Sequence, residues 1–310
     1  MIKFLKHDMI DKNRWDECIN MSFNGNIYAW SWYLDIIHPK WDALVENNYE
    51  RVMPLTGKTK FGIHYLFQPF FAQQLGIFSR APLSQNKVDD FINAIPKNYK
   101  LIEYRLNEFN KVDYDCESIA KHCNIELDLI YDYQHLYNNY SKNTKRNLAK
   151  AENAGLSVNR DILPSDIINL FRTNKGKDVK HWGDMEYGRL LDLIDTAIYH
   201  ESCLLYGVRN IENEFVAGAV FMYSHDRITF LFSGSDNSNK HHHGLTLLLD
   251  NVIRDFSETQ YTFDFEGSDN DGLARYYKGF GGKEVFYPEI KCNRFKGIFK
   301  FAYGTIRSRT

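Results

Sequence analysis

The chain has 310 residues, 44% of them hydrophobic, so one large domain or two medium domains with a substantial core are expected. Its formal net charge of −2 argues against a dedicated nucleic-acid coat protein but allows a local basic patch. Five scattered cysteines form no CxxC pair, and no segment resembles a signal peptide or a membrane span, which predicts a soluble cytoplasmic protein with free thiols.

An aromatic-rich segment follows the first predicted helix. Residues 11–21 have apolar side chains spaced to bury one helical side, and 24–26 predict a turn. Residues 27–37 are dense in aromatic side chains, among them Trp32 and Tyr33. This run predicts a buried helix or, as the functional alternative, one wall of a ligand cleft in which Trp32 and Tyr33 contact the substrate.

Two strand-like runs come next, at residues 51–55 and 62–67, and predict a hairpin that turns at 57–58. The segment that follows places glutamines among aromatic residues. Because a buried amide needs hydrogen-bond partners, Gln68 and Gln73 are expected to contact either the backbone or a substrate.

A basic helix is predicted at residues 141–155, with Ser141 as its cap and Gly155 at its end. Its cations recur at i, i+3, i+4 and i+8, which places them on one face: Lys142, Lys145, Arg146 and Lys150. A solvated surface helix is the ordinary interpretation of such a face. The spacing also suits phosphate binding, for which we single out Lys142 and Arg146.

Three strands and a long helix are predicted in the second half of the chain. The strands are at 203–209, 215–223 and 228–233, and the middle one is continuously apolar, as expected for a strand covered on both faces. The helix at 245–256 has the strongest apolar periodicity in the chain.

Three consecutive histidines, His241 to His243, stand just before that helix. Consecutive residues point in different directions, so the three cannot converge on one metal ion without outside ligands, and no metal site is expected. A phosphate at the helix N-terminus is the better interpretation, with His243, Gly244 and Leu245 as its binding residues.

Two carboxylates mark the strand predicted from residue 261. Asp264 and Glu266 are two apart, which would place both on one face of that strand and raise one pKa through like-charge proximity. Both are candidate general bases. The structural alternative is that one caps the next helix while the other pairs with Arg275.

Two adjacent phenols lie on the helix predicted after this strand. Tyr277 is the candidate general acid, whereas the apolar spacing of Tyr276 with Phe280 makes Tyr276 the better core candidate. Lys278 is the candidate phosphate contact, and Arg275 is a candidate substrate contact.

The order of the predicted elements, together with three motifs, resembles the FemABX and FemAB-like group of tandem GNAT acyltransferases. The motifs are Tyr140-Ser141-x-x-Thr144-x-Arg146-Asn147 to Val158, Phe263-x-Phe265-x-Gly267-Ser268, and Arg275-Tyr276-x-x-Gly279-Phe280-Gly281. The resemblance implies an α/β (α+β) fold of two GNAT-like domains with mixed sheets flanked by helices. We place these at residues 1–139 and at 140–310, the second including the basic helix.

The resemblance also implies transfer of an acyl group from acyl-CoA to an amine, such as a small molecule or a peptidoglycan precursor. Two alternatives stay open: aminoacyl transfer from aminoacyl-tRNA, and a non-catalytic metabolite-binding module. At the place where a CoA-binding GNAT carries its glycine-rich approach, this sequence matches only at Gly244.

Overall fold

A computed structural model describes residues 1–113, 118–238, 242–267 and 269–295. The chain forms two compact units, one of Met1–His122 with Phe286–Thr310 and one of Cys123–Val285. The expected mixed architecture of sheets flanked by helices is confirmed. The division into domains 1–139 and 140–310 stays a prediction.

In its described part, the first unit contains three α-helices and strands that range from 2 to 11 residues. Its elements are β1 (Ile2–Leu5), α1 (Lys12–Asn20), α2 (Ser31–Ile37), β2 (Asp42–Glu46), β3 (Arg51–Leu55), β4 (Gly57–Lys60), β5 (Ile63–Phe67), β6 (Phe78–Ser79), α3 (Gln85–Ala94), β7 (Tyr99–Arg105) and β14 (Lys283–Asn293). One sheet has the order β1-β2-β3-β6, and a second set of strands follows the order β4-β5-β7-β14.

The hairpin prediction was wrong about pairing. The strands at β3 and β5 exist, but β3 pairs with β2 and β6, while β5 pairs with β4. The turn lies at Phe61-Gly62, where both residues have positive φ, 52° and 76°. Such angles in a two-residue loop match the right-handed twist of the flanking strands, so residues 57–60 form a strand instead of the expected turn.

The second unit is built on strands in the order β8-β13-β12-β11-β10-β9. Of these five pairs, β12–β13 is parallel and the other four are antiparallel. Its elements are β8 (Ser118–Asp128), α4 (Tyr133–Asn138), α5 (Lys142–Asn153), β9 (Ser157–Asn159), α6 (Pro164–Thr173), α7 (Asp184–Tyr199), β10 (Cys203–Arg209), β11 (Phe215–Ser224), β12 (Arg227–Ser235), α8 (Gly244–Asp255), β13 (Thr262–Asp264) and α9 (Asp271–Lys278).

Periodicity explains how α8 and β11 are placed in this unit. The predicted apolar face of α8 supplies Leu248, Leu249, Val252 and Ile253, all fully buried. The continuously apolar β11 is buried along most of its length, as a strand covered on both faces should be. Both elements belong to one hydrophobic cluster, which holds the first turn of α8 against the sheet.

The start of α5 is fastened to the end of α9. Ser141 caps α5 as predicted, its hydroxyl accepting from the Thr144 amide at 3.1 Å. The carbonyl of Gly279 accepts from the Ser141 amide at 2.8 Å and from Thr144 Oγ1 at 2.9 Å. A side chain at Gly279 would lie 2.5 Å from Thr144 Oγ1, so two of the motifs noted above meet at a close backbone contact.

Candidate active site

A cavity of about 150 Å³ opens at the N-terminus of α8. The first turn of the helix forms one wall through His243, Gly244, Leu245 and Thr246, and Tyr276 forms another part of the lining. A Cβ on Gly244 would lie 3.3 Å from the Ala217 side chain, so glycine lets α8 approach β11 closely. Of the residues predicted to bind a cofactor phosphate, the three at the helix start are thus together at one cavity.

Tyr276 presents its hydroxyl beside this helix start. The phenol oxygen lies 3.1 Å from Thr246 Oγ1 on the first turn of α8. Burial raises the pKa of Tyr276 to about 12, and the hydrogen bond with Thr246 opposes that shift. The phenol therefore keeps its proton at neutral pH and can donate it.

Tyr277 occupies a different environment from its neighbour. Its side chain is buried, and its ring stacks on Phe265 at 5.0 Å. Burial is the main cause that raises its pKa, with further contributions from Tyr276 and Glu266. The expectation that Tyr276 is the better core residue was therefore wrong, because Tyr277 packs within the hydrophobic cluster while Tyr276 lines the cavity.

Asp264 lies within a network of polar side chains at the end of β13. Its carboxylate accepts from Arg227 Nη1 at 3.1 Å, from Asn124 Nδ2 at 3.0 Å and from the Glu266 amide at 2.8 Å. Arg227 Nη1 also donates to Glu126. With an exposure of 2%, Asp264 has most of its lone pairs occupied by donors within the unit.

The sequence predicted that Glu266 and Asp264 share one face of a strand, and this prediction was wrong. Strand β13 ends at Asp264, and Glu266 has a φ of 51° in the left-handed region. The next residue, Gly267, has a φ of 27°, and a Cβ there would lie 2.2 Å from Asn124 Cα. This close contact with β8 turns the chain out of the strand and breaks the expected alternation.

The predicted phosphate-binding cations are all exposed. Lys278 Nζ forms an ion pair with Glu284 at 2.8 Å, which raises the lysine pKa. Arg146 Nη2 donates to Asn143 at 2.6 Å. Lys142 has an exposed side chain on α5, and so has Arg275, the candidate substrate contact, on α9. The structure does not place these four at the cavity beside α8.

The four substrate candidates of the first unit have structural partners. Tyr33 is fully buried and donates to the Phe71 carbonyl, while the Trp32 ring lies 5.5 Å from that of Tyr33. Gln68 Nε2 donates to the Ala72 carbonyl at 2.8 Å, and Gln73 Oε1 accepts from Gln74 at 2.9 Å. Gln68 thus finds the backbone partner that was the alternative to substrate contact, whereas Gln73 pairs with a neighbouring side chain.

Sequence reasoning missed three members of the network at β13: Asn124, Glu126 and Arg227. One signal was available, because Asn124 and Glu126 alternate with the buried Ile125 and Leu127 along β8. Such alternation marks a polar face on a strand. The partner across the sheet, Arg227, depends on strand order, which a single sequence does not show.

Comparison with known proteins agrees with this architecture. Residues 138–279 match the family model Acetyltransf_6, described as an acetyltransferase (GNAT) domain. The fold resembles the crystal structure of FemX, with a TM-score of 0.63 and 12% identity over 91% of this chain and 96% of that chain. This chain has a tandem GNAT fold like that of FemX.

Two further solved structures share the tandem GNAT fold. A conserved protein of unknown function from Bacteroides thetaiotaomicron VPI-5482 aligns with a TM-score of 0.60 and 10% identity, over 94% of this chain and all (100%) of that one. A tandem GNAT protein from the clavulanic acid biosynthesis pathway aligns with a TM-score of 0.51 and 11% identity, over 93% of this chain and 98% of that one. A sequence comparison with curated proteins finds no match.

The described residues show neither a grouping of metal ligands nor a membrane-spanning helix. Within residues 1–113, 118–238, 242–267 and 269–295, no three His, Cys, Asp or Glu side chains are grouped as metal ligands would be. His241 lies outside the described residues. Among the helices of the described part, none has both the length and the apolar composition that crossing a bilayer requires.

Proposed function

We propose that this tandem GNAT protein is an N-acyltransferase that moves an acyl group from acyl-CoA to an amine. The observation that supports the proposal best is the cavity at the start of α8, where a protonated phenol and a helix N-terminus share one small space. An acyl transfer from a phosphate-bearing thioester needs both a binding site for the donor phosphates and an acid for the leaving group.

The donor phosphates would bind at the first turn of α8. The first N–H groups of a helix have no acceptor within it, and the helix dipole favours negative charge there. Asp236 also lines the cavity, but its carboxylate already accepts from the Ser238 amide at 2.9 Å. The volume of about 150 Å³ accommodates part of the donor, with the remainder outside.

The reaction needs one base and one acid. The neutral amine nitrogen forms a bond to the thioester carbon, the carbon–sulfur bond breaks, and the nitrogen loses a proton. Tyr276 donates a proton to the departing thiolate. Glu266 is our candidate for the base, because Asp264 is already occupied by Arg227, Asn124 and a backbone amide.

The adjacent residues Tyr276 and Tyr277 allow a matched test of the proposed general acid. With acetyl-CoA and a panel of amines, release of free thiol is measured for Tyr276→Phe and Tyr277→Phe. We expect kcat to fall about 100-fold in Tyr276→Phe, a typical loss for a general acid, and to stay within about threefold of wild type in Tyr277→Phe. Equal activity in wild type and Tyr276→Phe would contradict the role of this phenol, and no thiol release with any amine would contradict the donor.

A second candidate is aminoacyl transfer from aminoacyl-tRNA, which the exposed cations of α5 support. Lys142, Arg146 and Lys150 all have exposed side chains on this helix. Contacts of this kind with phosphates weaken steeply as salt rises. Retention of charged tRNA at low salt, lost in Lys142→Gln/Arg146→Gln, would favour this donor, whereas no retention at low salt would exclude it.

A further inference from the structure

The first unit contains another cavity, of about 440 Å³. Its lining comes from the segment after β1, the residues around the start of β2, the β4–β5 hairpin and the start of β7. This volume lies in the range of small-ligand sites and is large enough for a phosphate with its attached polar group. It belongs to neither of the sites considered above.

Positive charge surrounds this cavity. Three lysines line it and two more flank it in sequence: Lys6, Lys40, Lys58, Lys3 and Lys60. The acids of the lining are Asp8 and Asp42. Asp42 is buried and accepts from Lys6 Nζ at 2.8 Å and from the His7 amide at 3.1 Å, so one carboxylate is already neutralised. The remaining excess is positive, although the whole chain has a net charge of −2.

Two exposed apolar side chains belong to the same segments as these lysines. Phe61, at the tip of the β4–β5 hairpin, is 92% exposed, and Met9 is 68% exposed. Lys60 Nζ lies 5.7 Å from the Phe61 ring centroid. The two-residue turn, with positive φ at Phe61 and Gly62, makes Phe61 the tip of the hairpin. An aromatic tip among lysines is typical of surfaces that bind the interface of a bilayer.

We propose that this face of the first unit, which comprises residues 3–9, Lys40 and the β4–β5 hairpin, binds an anionic phospholipid surface. A lipid phosphate occupies the cavity among the lysines, and Phe61 and Met9 enter the boundary between headgroups and acyl chains. A nucleic acid would satisfy the lysines but leave these two apolar side chains in water, so the combination favours lipid. The proposal does not depend on acyl transfer.

Vesicle co-sedimentation tests the proposal with full-length protein. Vesicles of phosphatidylglycerol and phosphatidylcholine in equal parts are compared with vesicles of phosphatidylcholine alone. We expect binding to the anionic vesicles only, weakening as salt rises. Lys40→Gln and Lys60→Gln should each lower the partition coefficient about fivefold, the contribution of one basic residue near such a surface. Phe61→Ser should lower it by a similar factor.

Matched controls lie on the second unit. Lys177→Gln and Tyr199→Ser also change exposed side chains, the tyrosine being 83% exposed, and should leave vesicle binding unchanged. Binding to both kinds of vesicle alike, or equal loss in the control variants, would overturn the proposal. Tight binding of glycerol 1-phosphate without any vesicle binding would also overturn it, since the cavity would then serve a soluble phosphate.

Discussion

The start of α8 and the end of β13 both present ionisable side chains, but their surroundings differ. At α8, the Tyr276 hydroxyl forms a hydrogen bond with Thr246 and lines a cavity. At β13, Asp264 accepts from three donors and is buried. The comparison teaches that hydrogen-bond partners decide whether an ionisable side chain is available at a cavity or instead holds strands together.

Replacing Arg227 should have the largest effect on the stability of the network at β13. Arg227→Met should lower the free energy of unfolding by about 3–5 kcal/mol, because it removes the guanidinium from the buried carboxylate of Asp264 and the partly buried carboxylate of Glu126. Urea unfolding measures the change. Arg172→Met is the control, since the Arg172–Asp184 pair is exposed and should contribute less than about 1 kcal/mol. Similar losses in both variants would contradict a structural role for the network.

A methyl group at Gly267 tests how tightly the end of β13 is held. Gly267→Ala should cost about 3 kcal/mol, because it combines left-handed strain with a Cβ 2.2 Å from Asn124 Cα. The control is Gly188→Ala in α7, where no atom lies within 4 Å of the new Cβ. That change should stabilise the protein by about 0.5–1 kcal/mol. In thermal unfolding, we expect the midpoint temperature to fall in Gly267→Ala and to rise in Gly188→Ala.

Substitutions of Glu266 and Asp264 should have different effects on kcat. Glu266→Gln is expected to lower kcat about 100-fold if Glu266 accepts the amine proton. Asp264→Asn keeps an acceptor for Asn124 and the Glu266 amide, so its effect should appear in stability more than in kcat. Steady-state kinetics of both variants, after confirming equal folded fractions by circular dichroism, distinguishes them. Full activity in Glu266→Gln would remove it from the mechanism.

The smallest expected effect concerns alkaline pH. Burial raises the pKa of Tyr276 to about 12, so the acid form of this phenol persists until pH approaches that value. The rate, kcat/KM for the donor, should therefore show no descending limb between about pH 7 and pH 10. A limb centred near pH 9 would show that the leaving-group acid is some other residue.

Much of the fold could be predicted from the sequence because periodicity and caps are local signals. The apolar spacing of α8, the buried run of β11 and the Ser141 cap all appear where their patterns predicted them. Strand pairing was harder to predict, since the hairpin at β4–β5 depends on backbone angles at Phe61 and Gly62 that the residue types do not reveal.

The candidate site was predicted only in part. The helix start at Gly244, which was singled out by its place before an amphipathic helix, does line a cavity, while phosphate binding there stays a prediction. The core position on α9 was predicted at Tyr276 from its spacing with Phe280, but Tyr277 is the buried phenol, and Leu273 is 40% exposed. The buried side of α9 instead contains Ala274 and Tyr277. A small apolar residue gives too weak a signal to orient an eight-residue helix.

The hydrogen bond to the Gly279 carbonyl affects how the chain folds during its synthesis. This carbonyl receives the Thr144 hydroxyl from a position 135 residues earlier in the chain. During translation, the beginning of α5 therefore cannot form this hydrogen bond until almost the whole second unit has left the ribosome. We expect the nascent segment to be susceptible to proteases until then, and a ribosome-stalled chain ending before Gly279 to lack the compact form.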